Sequence, residues 1–355
     1  MFGIGGMNKR VGVFCTHFWT EFLIHDMISS ENNGDWGYLS VVAVTLAIEL
    51  LLMNCIGIFI RKSGIANKDF SSRLTNLILK FCIPCLIFNS VSNATEFSLD
   101  LLANCGLVVL LAAVTVLLSF GVGQIFYLLN HKNGAGRILR YGLTFCHFSF
   151  MGIPVMEALF GEMGTFYYVS FFLLPVRIAY YAFSDVLMTP RELQGPKRGV
   201  GKMLKDIFLN PCMIALILAL IFWIGGWHLP TALNYCVKSM SSISSPLALL
   251  LCGMVLAEYN FKELIRVKYL FLPLLRTIVM PAIFFGISRL FLLMGVDELL
   301  CNIVVIYAAF PVASLLPIYT IRFDPDSENQ LNAAASSILS VLISAITIPI
   351  WYLFL

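Results

Sequence analysis

Two stretches decide how this chain is read: SFMGIPVMEALF at residues 149–160 and AAFPVASLLP at residues 308–317. Each is an apolar run interrupted near its middle by a proline, Pro154 or Pro311. A proline inside a helix removes a backbone donor and clashes with the preceding turn, so the helix bends or breaks there. Gly152 beside Pro154 lowers the helical preference further. The surroundings make these breaks unusual. Of 355 residues, 59% are hydrophobic and only 12% charged, against roughly 25% charged in a typical soluble domain. Such a chain folded in water would expose large apolar patches. Apolar runs such as 41–60, 107–129, 270–293 and 338–355 are close to the ~20 residues a helix needs to cross a bilayer. Backbone groups in lipid must pair within the segment, which selects helices. A β-barrel would alternate apolar and polar residues over strands of ~10 residues. The chain therefore reads as an all-α integral membrane protein, with the lipid bilayer as its first partner.

Working outward, ten spans are predicted: 37–60, 70–92, 100–129, 138–160, 165–188, 207–226, 232–257, 267–293, 299–320 and 329–354. Alternate loops hold the basic residues. Loop 61–73 carries four Lys and Arg, loop 131–140 three, loop 190–206 five, loop 258–268 three and loop 321–328 one. The intervening loops carry none. Positive charge stays on the cytoplasmic side, so the five basic loops face inward and both termini face outward, in a multi-pass protein of the plasma membrane. Residues 1–36 read as an N-terminal extension with no assigned role. Their apolar core is interrupted by Glu21, His25 and Asp26, which makes a poor signal peptide.

The most basic loop, the cytoplasmic linker 190–206, divides the chain into a first five-helix repeat (37–189) and a second (207–355). An odd number of spans per half inserts the second half upside down, the inverted repeat of many secondary transporters. The prolines keep register with this duplication. Pro154 and Pro311 lie 157 positions apart, and the mid-span Pro84 and Pro246 lie 162 apart. Helices four and nine are thus predicted to break at their prolines and to cross. Proline favours the first turn of a helix, so Pro154 and Pro311 are expected to open the second half-helices. Each new N-terminus presents unpaired N–H groups and a partial positive charge, a place for an anion.

Intramembrane charge costs at least ~2.5 kcal/mol at a helix centre, so such residues are usually paired or functional. Glu49 is a plausible partner for Lys80. Arg177 either pairs with Glu157, one turn after Pro154, or faces the substrate. Arg276 reads as a second substrate cation or as a side chain that snorkels inward. His147 lies two turns before Pro154, and its unperturbed pKa of ~6.5 suits a proton carrier near neutrality. His147 and Glu157 are therefore the coupling candidates. Ser149, Ser314 and Ser244 are candidate hydroxyl contacts to substrate, which completes a predicted substrate set of His147, Ser149, Gly152, Pro154, Arg177, Pro311 and Ser314.

At these residues the chain resembles a known family. Met151-Gly152-Ile153-Pro154 followed by Ala158-Leu159-Phe160-Gly161-Glu162 is similar to the fourth helix of the auxin efflux carrier family. That family includes plant auxin exporters and bacterial permeases for dicarboxylates such as malate and malonate. Pro311-Val312-Ala313-Ser314 with Arg322-Phe323-Asp324 resembles its ninth helix, and Ser340, Ser344, Thr347 and Pro349 its tenth. The resemblance covers roughly residues 40–355. It implies ten helices in two inverted repeats, crossed helices four and nine, elevator-like alternating access, and a homodimer formed through the non-moving helices. Two positions depart from it. His147 stands where the family commonly has Asn seven residues before the helix-four proline, and Leu315 replaces a common Asn near the helix-nine proline. Both Asn residues are thought to contact substrate. The short central loop resembles the bacterial members.

Other function classes have little support. The sequence holds no Walker motif or Gly-rich phosphate loop, so ATP drive within the chain is not expected. The five His show no HExxH or related metal spacing, and no enzyme activity, cofactor, metal or nucleic-acid partner is predicted. The leading expectation is a secondary transporter of a small organic anion, a carboxylate such as malate or malonate or an auxin-like acid, coupled to a proton or sodium. The alternative is a membrane sensor that retains a transporter fold.

Overall fold

The computed structural model describes residues 35–92, 99–130, 133–190, 201, 205, 208–257 and 266–355. The N-terminal extension 1–36 (apart from its last two residues) and nearly all of the linker 190–206 lie outside the described residues. The described residues form helices, with one isolated antiparallel bridge between Cys146 and Val312. The first helices are α1 (Asp35–Lys62), α2 (Lys68–Leu77) continuing through a π turn (Ile78–Cys82) into α3 (Ile83–Ser92), and α4 (Leu99–Leu129). Next come α5 (Gly134–Thr144), α6 (Gly152–Phe166), a π turn (Tyr167–Phe172) and α7 (Leu173–Met188). The second half holds α8 (Pro211–Ile224), α9 (Thr231–Ser242), α10 (Ser244–Leu256), and α11 (Phe271–Leu274) leading through a π turn (Leu275–Val279) into α12 (Met280–Leu293). The last three are α13 (Glu298–Ala309), α14 (Leu316–Phe323) and α15 (Ser327–Phe354).

Local chemistry explains the ends. The Asn67, Asn133, Asn210, Asp297 and Asp326 side chains each accept a bond from a backbone N–H of the helix they open, the preferred use of Asn and Asp at an N-cap. Gly161 interrupts α6 with φ +60° and ψ −152°, a backbone that only glycine adopts at little cost. The predicted spans four and five therefore part at this turn. Six helical segments among the described residues are long and apolar enough to cross a membrane: Asp69–Ser92, Leu101–Leu129, Gly152–Met188, Thr231–Leu256, Val267–Leu293 and Ser327–Phe354. Pro211–Ile224 and Glu298–Ala309 are shorter apolar helices.

The helices pack as two groups. One comprises α1, α2–α3, α8 and α9–α10, with α10 laid along α1 and α8 and α9 along α3. The other comprises α4 to α7 and α11 to α15. Helix α15 bridges them by packing on α1 as well as on α11, α13 and α14. In the first group the backbones touch. A Cβ on Gly253 would sit 2.2 Å from the Asn54 carbonyl oxygen, and one on Gly57 2.3 Å from that of Leu250. Small residues at a crossing of this kind let membrane helices approach closely. In the second group, Arg137 near the start of α5 bonds the Asp324 carboxylate after α14 at 3.2 Å. Asn329 and the Asp326 N–H also donate to Asp324. That cluster ties the loop end of α14 to the loop end of α5.

One expectation about buried charge is corrected here. Among the described residues no ion pair joins Glu49 to Lys80. Lys80 is exposed, and the carboxylate that acts electrostatically on Glu49 is Glu157.

The α1–α10 contact yields a test. Gly253→Ala is expected to lower the melting temperature of the detergent-solubilised protein and Gly253→Val to lower it more, since overpacking costs typically ~1–3 kcal/mol. An unchanged melting temperature for both would show that the two helices do not meet here.

Candidate functional site

The site begins with two broken helices. Helix α5 stops at Thr144, where Phe145 turns extended (φ −113°, ψ 134°). Helix α13 stops at Ala309, where Phe310 does the same (φ −63°, ψ 145°). The second change follows from the sequence, because a residue before proline is pushed out of the helical region. The two extended segments then run antiparallel through the middle of the molecule. The His147 N–H donates to the Pro311 carbonyl at 2.8 Å, and the Ala313 N–H donates to the Phe145 carbonyl at 3.3 Å. Proline suits its place, since only its carbonyl is used. The Val312 N–H donates to Ser340 Oγ at 3.0 Å, so α15 closes a position the short ladder leaves open. Residues 145–148 and 310–313 are all buried.

The chain returns to helix on both sides. Helix α6 restarts at Gly152, with Pro154 in its first turn as expected. In the other segment the expectation that Pro311 opens the second half-helix is corrected. Helix α14 restarts at Leu316 and Pro317 occupies its first turn. Pro311 accepts the bond from His147 and ends the first half-helix instead, whereas in the other segment the first half-helix ends at Thr144 without a proline. Gly152 is required by space. A Cβ there would lie 2.6 Å from Tyr168 Oη and 2.9 Å from the Phe310 ring. Tyr168 is anchored because its hydroxyl donates to the Phe148 carbonyl at 2.9 Å, another backbone group freed by the break.

Beside the crossing lies a small, partly open cavity with room for about one water, lined by Ile83 of α3, Ser149, Ile153 and Pro154 of the crossing and α6, and Ser244, Ser245 and Ala248 of α10. It therefore sits where the two helix groups meet. Ser245 Oγ donates to Glu157 Oε2 at 2.8 Å. His147 is buried and reaches across to α10, with Nε2 3.9 Å from Cys252 Sγ.

Of the predicted substrate residues, Ser149 and Pro154 line this cavity together with Ser244, while His147 and Gly152 are part of the crossing that forms its wall. Glu157 is joined to the cavity through Ser245. The others are placed differently. Pro311 lies in the ladder, and Ser314 is exposed and outside the lining. Arg177 does not pair with Glu157. It is buried on α7, with Nη1 3.4 Å from the Val169 carbonyl of the π turn and Nη2 buried without a hydrogen-bond partner among the described residues. Ser170 Oγ, in the same π turn, is likewise buried without one. Arg276 overturns both readings given to it. It neither snorkels nor faces the cavity. It is 0% exposed and bonded to the carbonyls of Leu143, Tyr307 and Phe310.

Sequence reasoning missed Tyr168 and Ser245 as contributors and knew Ser340 only as part of a helix-ten pattern. For Ser245 a signal existed, since it adjoins Pro246 and Ser244 in a polar Ser-Ser pair. Tyr168 had none, because its target is a carbonyl freed only by the fold.

Comparison with known proteins finds relatives among membrane transporters. A family model described as membrane transport protein matches residues 42–352. An uncharacterized transporter of Methanocaldococcus jannaschii is 24% identical over 322 residues, covering 88% of this chain and 98% of its own.

The close fit at Gly152 can be checked by a double-mutant cycle. Gly152→Ala alone is expected to lower thermal stability by ~1–3 kcal/mol through the clash with Tyr168. Combining it with Tyr168→Phe, which removes the obstructing oxygen, is expected to cost less than the two single changes added together, as coupled neighbours do. Additive costs would mean that Gly152 and Tyr168 do not touch.

Proposed function

This chain belongs to the membrane transport protein family, the auxin efflux carrier-like transporters, and from that premise we propose that it is a secondary active transporter of a small organic anion. The observation that carries the reading is the pair of interrupted helices crossing beside a serine-lined cavity. Helix N-termini at Gly152 and Leu316 each supply a partial positive charge of roughly half a unit. A carboxylate can bind between such ends without a full buried cation. The space beside the crossing holds about one water molecule, so a substrate carboxylate enters only as the two helix groups part, and a short carboxylate such as malate or malonate asks for the least opening.

In this reading Ser149, Ser244 and Ser245 hydrogen-bond the substrate, and Gly152 and Pro154 shape the helix end that meets its carboxylate. Pro311 and Ser314 belong to the opposite strand of the crossing. Arg177, whose free Nη2 needs an acceptor, is the cation for a second carboxylate. His147 and Glu157 are the sites for a coupling proton, with sodium the other candidate driver. The chain as a whole is ten helices in two inverted repeats, with both termini outside the plasma membrane. The two packing groups supply the parts of an elevator. Helices α1, α2–α3, α8 and α9–α10 act as the static frame and the dimer surface. The remaining helices carry the crossing and its substrate past that frame.

Purified protein in liposomes provides the test. Counterflow of labelled malate is expected to saturate, to be blocked by malonate and to ignore an amino acid. Arg177→Gln is expected to raise KM for malate by about tenfold, the equivalent of roughly 1.4 kcal/mol, and to spare a monocarboxylate. Of Glu157→Gln and His147→Gln, the one that removes the coupling proton flattens the pH profile of uptake. Absence of exchange with any carboxylate would refute the substrate class, and unchanged pH profiles in both variants would refute proton coupling through these residues.

A further inference from the structure

We propose that Arg276 is the positioning residue of the crossing, a single cation that neutralises the C-terminal ends of both interrupted helices and leaves their N-terminal ends free to attract an anion. The part concerning anion affinity rests on the transport reading above, and the part concerning the crossing does not.

Three bonds carry the inference. Arg276 Nη1 donates to the Leu143 carbonyl at 2.8 Å, Nε to the Phe310 carbonyl at 3.1 Å and Nη2 to the Tyr307 carbonyl at 3.4 Å. Leu143 lies in the last turn of α5, and Tyr307 and Phe310 lie at the end of α13. The Leu143 and Phe310 carbonyls are of the kind for which a helix end has no internal donor, while the Tyr307 carbonyl also accepts from the Phe310 N–H at 3.2 Å. One guanidinium thus serves two helices that come from different halves of the chain. The remaining face of the group is also occupied, with its carbon 6.0 Å from the centre of the Tyr307 ring. The side chain is 0% exposed and is the largest fully buried one, and among the described residues no carboxylate pairs with it.

Charge arithmetic gives the bonds a meaning. Each helix C-terminus carries about −0.5 unit and each N-terminus about +0.5. Where α5 and α13 stop side by side, two C-termini place about −1 unit in a buried space. Arg276 brings +1, and its fixed fork of donors reaches both ends at once, which a lysine point charge does not. With the C-termini cancelled, the N-termini of α6 and α14 remain uncompensated. The guanidinium therefore acts on the substrate at a distance, by removing the negative field that would offset those N-termini.

The local fold explains how α11–α12 delivers the group. Arg276 sits in the π turn Leu275–Val279, closed by the Met280 N–H donating to the Leu275 carbonyl. Pro281 has no N–H for the Thr277 carbonyl four residues back, and Trp351 Nε1 on α15 donates to it instead at 3.1 Å. The widened turn is thus held from outside, with Arg276 on its buried side.

The experiment uses the full chain purified in detergent and reconstituted in liposomes, with two readouts. The first is modification of Cys146 by N-ethylmaleimide, read for each cysteine by peptide mass spectrometry. Cys146 lies in the crossing and is 1% exposed, while Cys105 and Cys301, 1% and 0% exposed, serve as controls for general unfolding. The second is KM and maximal rate for malate counterflow. Arg276→Gln is expected to speed modification of Cys146 at least about tenfold while Cys105 and Cys301 stay protected. It is also expected to raise KM about tenfold or more, a factor of ten being roughly 1.4 kcal/mol. Arg276→Lys, which keeps the charge but not the fork, is expected to retain a KM within a few-fold of the parent and to protect Cys146 only partly. If Arg276→Gln does not fold, Arg276→Lys carries the test, and a KM raised about tenfold in that charge-conserving variant overturns the electrostatic role. Equal protection of Cys146 in the parent and Arg276→Gln overturns the positioning role. A parent protein that exchanges no malate refutes the transport reading alone, because the Cys146 readout still decides whether Arg276 holds the crossing.

Discussion

A helix interrupted inside an apolar protein leaves backbone donors and acceptors with no water to receive them, and everything else in this structure answers that constraint. Each unpaired group costs several kcal/mol in such surroundings. One break alone would be a defect. Two breaks laid antiparallel supply each other, through His147 to Pro311 and Ala313 to Phe145. The groups left over are met one by one. Ser340 accepts from Val312, Tyr168 donates to Phe148, and Arg276 donates to Leu143, Tyr307 and Phe310. Residues far apart in the chain are thereby committed to a single task.

The same economy places the candidate site. Breaking a helix separates its two ends, and the crossing gathers the ends of two helices in one place. The C-terminal ends are covered by Arg276, and the α6 end opens on a cavity shared with α3 and α10. That cavity lies between two groups of helices bridged chiefly by α15. A site at such a boundary changes whenever one group shifts against the other, which links the local accounting of hydrogen bonds to a protein that moves its cargo.

Some of this was legible in the residues. Pro154 and Pro311 announced interruptions at matching places. The interruptions were legible because proline acts through its own ring and the residue before it, which are local. The division of labour between Pro311 and Pro317 was not, because it depends on the bond that Pro311 accepts from His147 of the other segment. Glu49 and Lys80 looked like partners from their depth along neighbouring spans, yet helix rotation decides which faces meet, and the charge within electrostatic reach of Glu49 is Glu157.

By itself the sequence determined an apolar, helical, membrane-crossing chain with two interrupted helices, because hydrophobic run length, loop charge and proline chemistry are properties of short windows. Only the tertiary structure decided what each buried polar group is for. Arg276 became a brace between helix ends and not a substrate contact, Arg177 was left with an unmet donor, and Ser149 was brought to Ser244 and Ser245. The physical reason is that a hydrogen bond or a helix-end charge is satisfied by whatever lies within about 3 Å, and across 133 residues of separation, as from Leu143 to Arg276, that neighbour is set by packing alone.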